Sequence, residues 1–209
     1  MNNYTILELK DTFVTQGLDT VFKREFLLKK KKYSKDKIKI IVDYILKYLN
    51  ESGNEIKDQE TFGCGSWLIK FVFDKVYIQI HELKEVINGE NIYEFDLTLT
   101  TTFFNEQFDF CKKHNLTPEI PLLAQKIAVS KEIYNGSEVN GVRYEAPQYM
   151  TGWYLTSNSY NGDVKSLQVE SIFYLIKARP DLVKYLAIPI GYRFYLDEKG
   201  DDVWKDEDQ

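Results

Sequence analysis

Two hydrophobic periods lying close together constrain this chain more than any other feature. Ile38, Ile41, Val42, Ile45 and Leu49 recur at i, i+3, i+4, i+7 and i+11, one apolar stripe of a helix over 35–50. Trp67, Ile69, Phe71 and Phe73 alternate, and Val76, Ile78 and Ile80 follow the turn at Asp74-Lys75. A period of two on both arms reads as a β-hairpin over 66–82. Each apolar surface needs a partner, and a striped helix laid on the apolar side of a sheet satisfies both.

The flanking segments extend this pattern. Ser34 is placed to N-cap the helix and Gly53 to end it in a left-handed turn. A second helix is expected over 19–28, with Asp19 as N-cap and Val21, Phe22 and Phe26 inward. Lys29–Lys32 then reads as a solvated connection. After a turn at Asn88–Asn91, Tyr93, Phe95, Leu97 and Leu99 alternate with Glu94, Asp96, Thr98 and Thr100 as a half-buried strand. A helix follows over 103–114. Two prolines, Pro118 and Pro121, interrupt regular structure near 115–124 and suggest domains 1–120 and 121–209. The second half reads as strands at 126–130, 141–145 and 153–157, then a polar loop from Asn158 to Asp163. A helix over 171–178 stops before Pro180, which opens a short helix to Leu186. A hairpin of 192–196 and 202–205 closes the chain. The expected class is α+β: two small domains, each an antiparallel sheet covered by helices.

Composition narrows the functional classes. With 44% hydrophobic and 15% aromatic residues, a sizeable core is available and disorder is excluded. No run of 18 apolar residues occurs, so no membrane helix is expected, and the start lacks the pattern of a secretory signal. Cys64 and Cys111 are too few for a disulfide framework and read as buried thiols of a cytoplasmic protein. His81 and His114 form no recognisable metal cluster with them. The net charge is -5, with seven Asp/Glu against two Lys over 197–209. Such a balance argues against general nucleic-acid binding and suits a partner with a basic face.

Catalytic signatures are weak throughout. Gly63-Cys64-Gly65-Ser66 lacks the spacing and lysine of a phosphate loop and reads as a tight turn. Cys111 and His114 are three apart on a helix, a spacing that could pair a thiol with its base, and Cys64 could meet His81 if the hairpin register allows; burial of the thiols is the simpler reading. Asp201-Asp202 and Asp206-Glu207-Asp208 lack the alternating ligands of a calcium loop. No catalytic, cofactor-binding or metal-binding residue is assigned, and no cofactor is expected.

One stretch is more specific. Ile127-Ala128-Val129-Ser130-Lys131 is followed by Val142-Arg143-Tyr144-Glu145-Ala146-Pro147, then Thr151-Gly152-Trp153-Tyr154-Leu155-Thr156-Ser157. A polar loop, Ala187-Ile188-Pro189-Ile190-Gly191 and the aromatic hairpin come after. In order and spacing, residues 125–204 resemble the type 33 immunity proteins of bacterial polymorphic toxin systems. Met150 and Thr151 stand where that family usually has an acidic residue and a serine, and the loop after the tryptophan is polar where the family's is acidic. The resemblance implies a non-catalytic cytoplasmic protein that neutralises a toxin by direct binding. Gly152, Trp153, Pro189 and Gly191 would be structural. Asn158, Tyr160, Asp163, Asp197, Glu198, Asp201 and Asp202 would be available to the toxin. The competing reading is an enzyme or ligand-binding protein with its site between the two halves.

Overall fold

The computed structural model describes residues 3–53, 55–136 and 138–207. The chain forms two compact units, Met1–Asn105 and Glu106–Gln209. The dividing point lies inside a helix, ahead of the proline-bearing segment 115–124.

The first unit contains β1 (Thr5–Glu8), β2 (Thr12–Gln16), the single turn α1 (Asp19–Phe22) and β3 (Glu25–Lys29). Next come α2 (Lys35–Ser52), β4 (Thr61–Cys64), β5 (Trp67–Phe73), β6 (Tyr77–Ile87) and β7 (Glu90–Glu94). The first half of α3 (Thr98–Lys113) completes it. The sheet runs β1-β2-β3-β6-β5-β4, with β7 also on β6. It is mixed where a purely antiparallel sheet was expected, because β3 and β6 pair in parallel. Parallel strands need a long crossover, and α2 lies within it. The anticipated stripe on α2 is buried, and Gly53 donates its N–H to Leu49 at φ 64°. Ser34 holds the cap position without a side-chain cap bond.

Two further expectations fail in this unit, each because a side chain caps a helix. The helix expected over 19–28 is one turn long, and Phe26 is buried as part of a strand. The Glu25 carboxylate accepts the N–H groups of Gly17, Leu18 and Asp19 and the Thr15 hydroxyl, so the chain reverses into β3. The strand expected through Thr100 ends at Glu94. Asp96 accepts from the N–H groups of Leu97 and Thr98, and buried Glu82 accepts from those of Leu99 and Thr100. These carboxylates satisfy the open N–H groups of a helix start, so α3 begins at Thr98.

The second unit takes the rest of α3, then β8 (Lys126–Val129), a 3-10 turn (Lys131–Asn135), β9 (Val139–Arg143) and β10 (Met150–Thr156). A short 3-10 turn (Val164–Ser166) leads to β11 (Gln168–Ser171), α4 (Ile172–Ala178) and a longer 3-10 helix (Pro180–Ala187). The hairpin β12 (Tyr192–Asp197) and β13 (Gly200–Lys205) ends it. The sheet order is β11-β8-β10-β9-β12-β13, and β8 with β10 is its one parallel pair, again a departure from the antiparallel expectation. The strands and helices anticipated here are present, while β11 was not anticipated. The core joins Trp153, Leu155 and Phe194 to Leu175, Ile176, Leu182 and Tyr185, all buried. Tyr185 stacks on Phe194 at 4.4 Å and meets Phe110 edge-on at 4.9 Å. Among the described residues, no helix is long and apolar enough to cross a membrane.

Candidate functional site

The residues that carry the family-like pattern converge on one buried cluster around Arg143. This side chain sits at the end of β9, opposite Trp153 on β10. Its Nε donates to the Thr151 carbonyl at 3.0 Å. One terminal nitrogen donates to the carbonyls of Glu119 at 2.8 Å and Ile188 at 2.6 Å. The guanidinium also lies 5.8 Å from the centre of the Trp153 ring. Burial pulls the Arg143 pKa below its ordinary value, and the nearby Glu119 carboxylate opposes that shift.

Trp153 is fully buried and donates its indole N–H to the Leu186 carbonyl at 3.0 Å. Gly152 has φ +80°, and a Cβ there would stand 2.1 Å from the Tyr144 carbonyl oxygen. Only glycine fits that approach. Gly191 donates its N–H to the Arg143 carbonyl at 3.0 Å, and Pro189 follows the Ile188 carbonyl that Arg143 holds. These residues bind one another inside the unit, so the pattern describes a scaffold.

The side chains expected to face a partner are distributed differently. Asn158 is exposed, accepts from the Asn140 amide at 2.9 Å and donates to the Tyr195 hydroxyl at 3.2 Å. That ties the loop after β10 to the hairpin. Tyr160 is half-buried, with its N–H on the Ser157 carbonyl. Asp163 accepts from the Lys165 N–H and caps the short 3-10 turn. Asp197 accepts from the N–H groups of Lys199 and Gly200 and shapes the hairpin turn, beside exposed Glu198. Asp202 is exposed opposite Tyr195. Asp201 turns the other way: it accepts from the Tyr185 hydroxyl at 2.6 Å and Lys184 at 3.0 Å. Burial acts to raise its pKa, but those two donors outweigh it and hold the carboxyl below the usual range. Asp206 is buried with its carboxylate 2.8 Å from Arg193, and Asp208 lies outside the described residues.

Cys64 and Cys111 are free and buried. Burial pushes Cys111 up to about 11, and its Sγ lies 3.5 Å from the Ala187 carbonyl. The His114 ring lies tilted against Phe110, with centres 4.7 Å apart. Cys64 ends β4 at the tight turn into β5, with burial raising its thiol pKa. Among the described residues, no three His, Cys, Asp or Glu side chains are grouped to hold a metal ion.

The residues of this cluster and its hairpin lie within a stretch that is similar to a known family. No curated protein and no solved structure matches the chain. Residues 106–206, nearly the whole second unit, match the model of the Imm33-like domain, in agreement with the resemblance carried by residues 125–204.

Proposed function

We propose that this chain is a non-catalytic immunity protein that neutralises a bacterial toxin by direct binding in the cytoplasm, without a cofactor. The observation that carries this reading is the Imm33-like match over residues 106–206. The internal commitment of Arg143, Gly152 and Trp153 supports it, since the family-like residues build a scaffold that presents a loop and a hairpin. Loops on a rigid scaffold are the usual place for recognition. The contacts would include exposed Asn158, Asp163, Glu198 and Asp202 and half-buried Tyr160 and Asp197. The partner is a protein with a basic face, not nucleic acid or membrane, in keeping with the net charge of -5.

The test is co-expression with the toxin domain encoded beside this chain's gene. Cells carrying both should grow where toxin alone arrests them, and the two proteins should co-purify one to one. Growth arrest in both cases, with no complex, overturns the reading.

A further inference from the structure

The side of the second sheet opposite Trp153 and Phe194 carries a row of side chains that crosses all six strands. Side chains alternate along a strand, so the neighbours of Trp153 and Phe194 face away from the helices. The register aligns Trp204 with Arg193, Arg193 with Val142, Val142 with Tyr154, Tyr154 with Ala128, and Ala128 with Val169. A second row beside it aligns Asp202, Tyr195, Asn140 and Thr156. Trp204 is 44% exposed and Val169 57%, large values for apolar side chains at the two ends of one row, while Arg193 and Val142 are half-buried and Ala128 is buried. Tyr154 is half-buried, and the Tyr144 ring meets it edge-on at 5.7 Å.

We infer that this open aromatic face anchors the toxin, and that the toxin is a basic protein whose apolar side chains seat between Trp204 and Tyr154. The inference rests on the toxin-binding reading above and names its surface. Three observations carry it. Tryptophan, tyrosine and arginine are the side chains that dominate binding energy at interface centres. The face is pre-ordered: Asn158 bridges Asn140 and Tyr195, and Arg193 is braced by buried Asp206. Pre-ordering lowers the entropy lost on association. The charge at this end is acidic: Arg193 is matched by Asp206, and Asp202 lies in the second row with Asp197 and Glu198 at the adjoining tip. Of the six carboxylates in residues 197–207, Asp201 and Asp206 are matched by Lys184 and Arg193, which leaves Asp197, Glu198, Asp202 and Glu207 against Lys199 and Lys205, so a basic rim on the partner complements them. Six strands spaced ~4.8 Å apart span about 24 Å, and a standard interface of ~800 Å² per partner needs breadth of that order.

The experiment measures association of the full chain with the toxin domain encoded beside its gene, catalytically inactivated. Trp204→Ala and Tyr154→Ala should each weaken binding at least tenfold, mainly through faster dissociation. Tyr174→Ala, at an exposed position on α4 in the helical layer, should leave it unchanged. If Tyr154→Ala does not fold, Val169→Lys at the exposed far end of the row takes its place, with the same expected loss. A parent that binds, with the face variants binding equally well, overturns the inference and leaves the toxin reading standing. A parent that neither binds nor protects defeats the toxin reading. Self-association of the parent without toxin, abolished by Trp204→Ala, assigns the face to a second copy and overturns the inference.

Discussion

Arg143 holds together segments that are far apart in sequence, because the carbonyls it binds come from residues 119, 151 and 188. A lysine in its place carries the charge but lacks the planar fork of donors. Arg143→Lys should therefore lower stability by roughly 1–3 kcal/mol, the penalty for buried carbonyls left unpaired, read from urea unfolding of the full chain. Trp153→Ala removes a fully buried aromatic and its bond to Leu186, and should cost roughly 3–5 kcal/mol by the same measurement. A melting curve unchanged by Trp153→Ala would place the side chain outside the core. The thiols give a third residue-level expectation. With Cys111 pushed up to about 11, roughly one thiol in a thousand is ionised near pH 8. A disulfide reagent should find neither cysteine in the folded protein and both in denaturant; rapid labelling of the native chain would contradict the burial. At this scale the sequence pattern showed that Gly152 and Trp153 belong together, through order and spacing alone. The role of Arg143 was not legible, because its acceptors are backbone carbonyls brought in by the fold.

At the scale of elements, strong local periods survived and weak ones were overruled by distant partners. The stripe on α2 and the alternation of β5 formed as read, while β6 omits Val76 and runs on to Ile87, beyond the expected end at residue 82. The apolar spacing of Val21, Phe22 and Phe26 suggested a helix, yet β3 pairs with β2 and β6 at the middle of a sheet, a context that no local window contains. Glu25 makes that reversal possible and gives it a pH signature. Burial acts to raise its pKa, but bonds from Thr15, Gly17, Asp19 and Leu18 outweigh burial and hold the carboxyl below its ordinary value. The folded value thus lies below the unfolded value of ~4.3, so the stabilisation is present above that pH and is lost as pH falls through the folded value. Glu25→Gln should lower stability at neutral pH and reduce the fall in stability between about pH 5 and pH 3. Denaturant midpoints across that range are the measurement, and an unchanged acid slope in the variant would remove Glu25 from the account. Glu82 behaves oppositely: burial raises its pKa despite three bonds from Leu99 and Thr100.

Charge acts over the whole molecule, and the fold sorts the acidic residues at its end into two groups. Asp197, Glu198 and Asp202 lie toward solvent at the hairpin, whereas Asp201 is bound to Lys184 and Tyr185. Neutralising the first three should slow toxin association and weaken its dependence on salt, because charges beyond a Debye length of ~8 Å are screened at physiological ionic strength. Asp201→Asn should instead lower stability and leave the association rate nearly unchanged. Stopped-flow mixing at low and high salt separates the two, and a parent on-rate indifferent to salt would dismiss electrostatic steering. Nothing in the linear sequence distinguishes Asp201 from Asp202; the alternation of β13 sends them to opposite sides of the sheet. The same geometry supplies an optical readout. The chain has three tryptophans: Trp67 is buried in the first unit with its indole N–H on Leu83, Trp153 is buried in the second, and Trp204 is exposed on the open face. A soluble quencher should extinguish the emission of Trp204 and spare the other two. With single-tryptophan variants, fluorescence would follow the melting of each core separately and the occupation of the aromatic face in the same protein, with no added label.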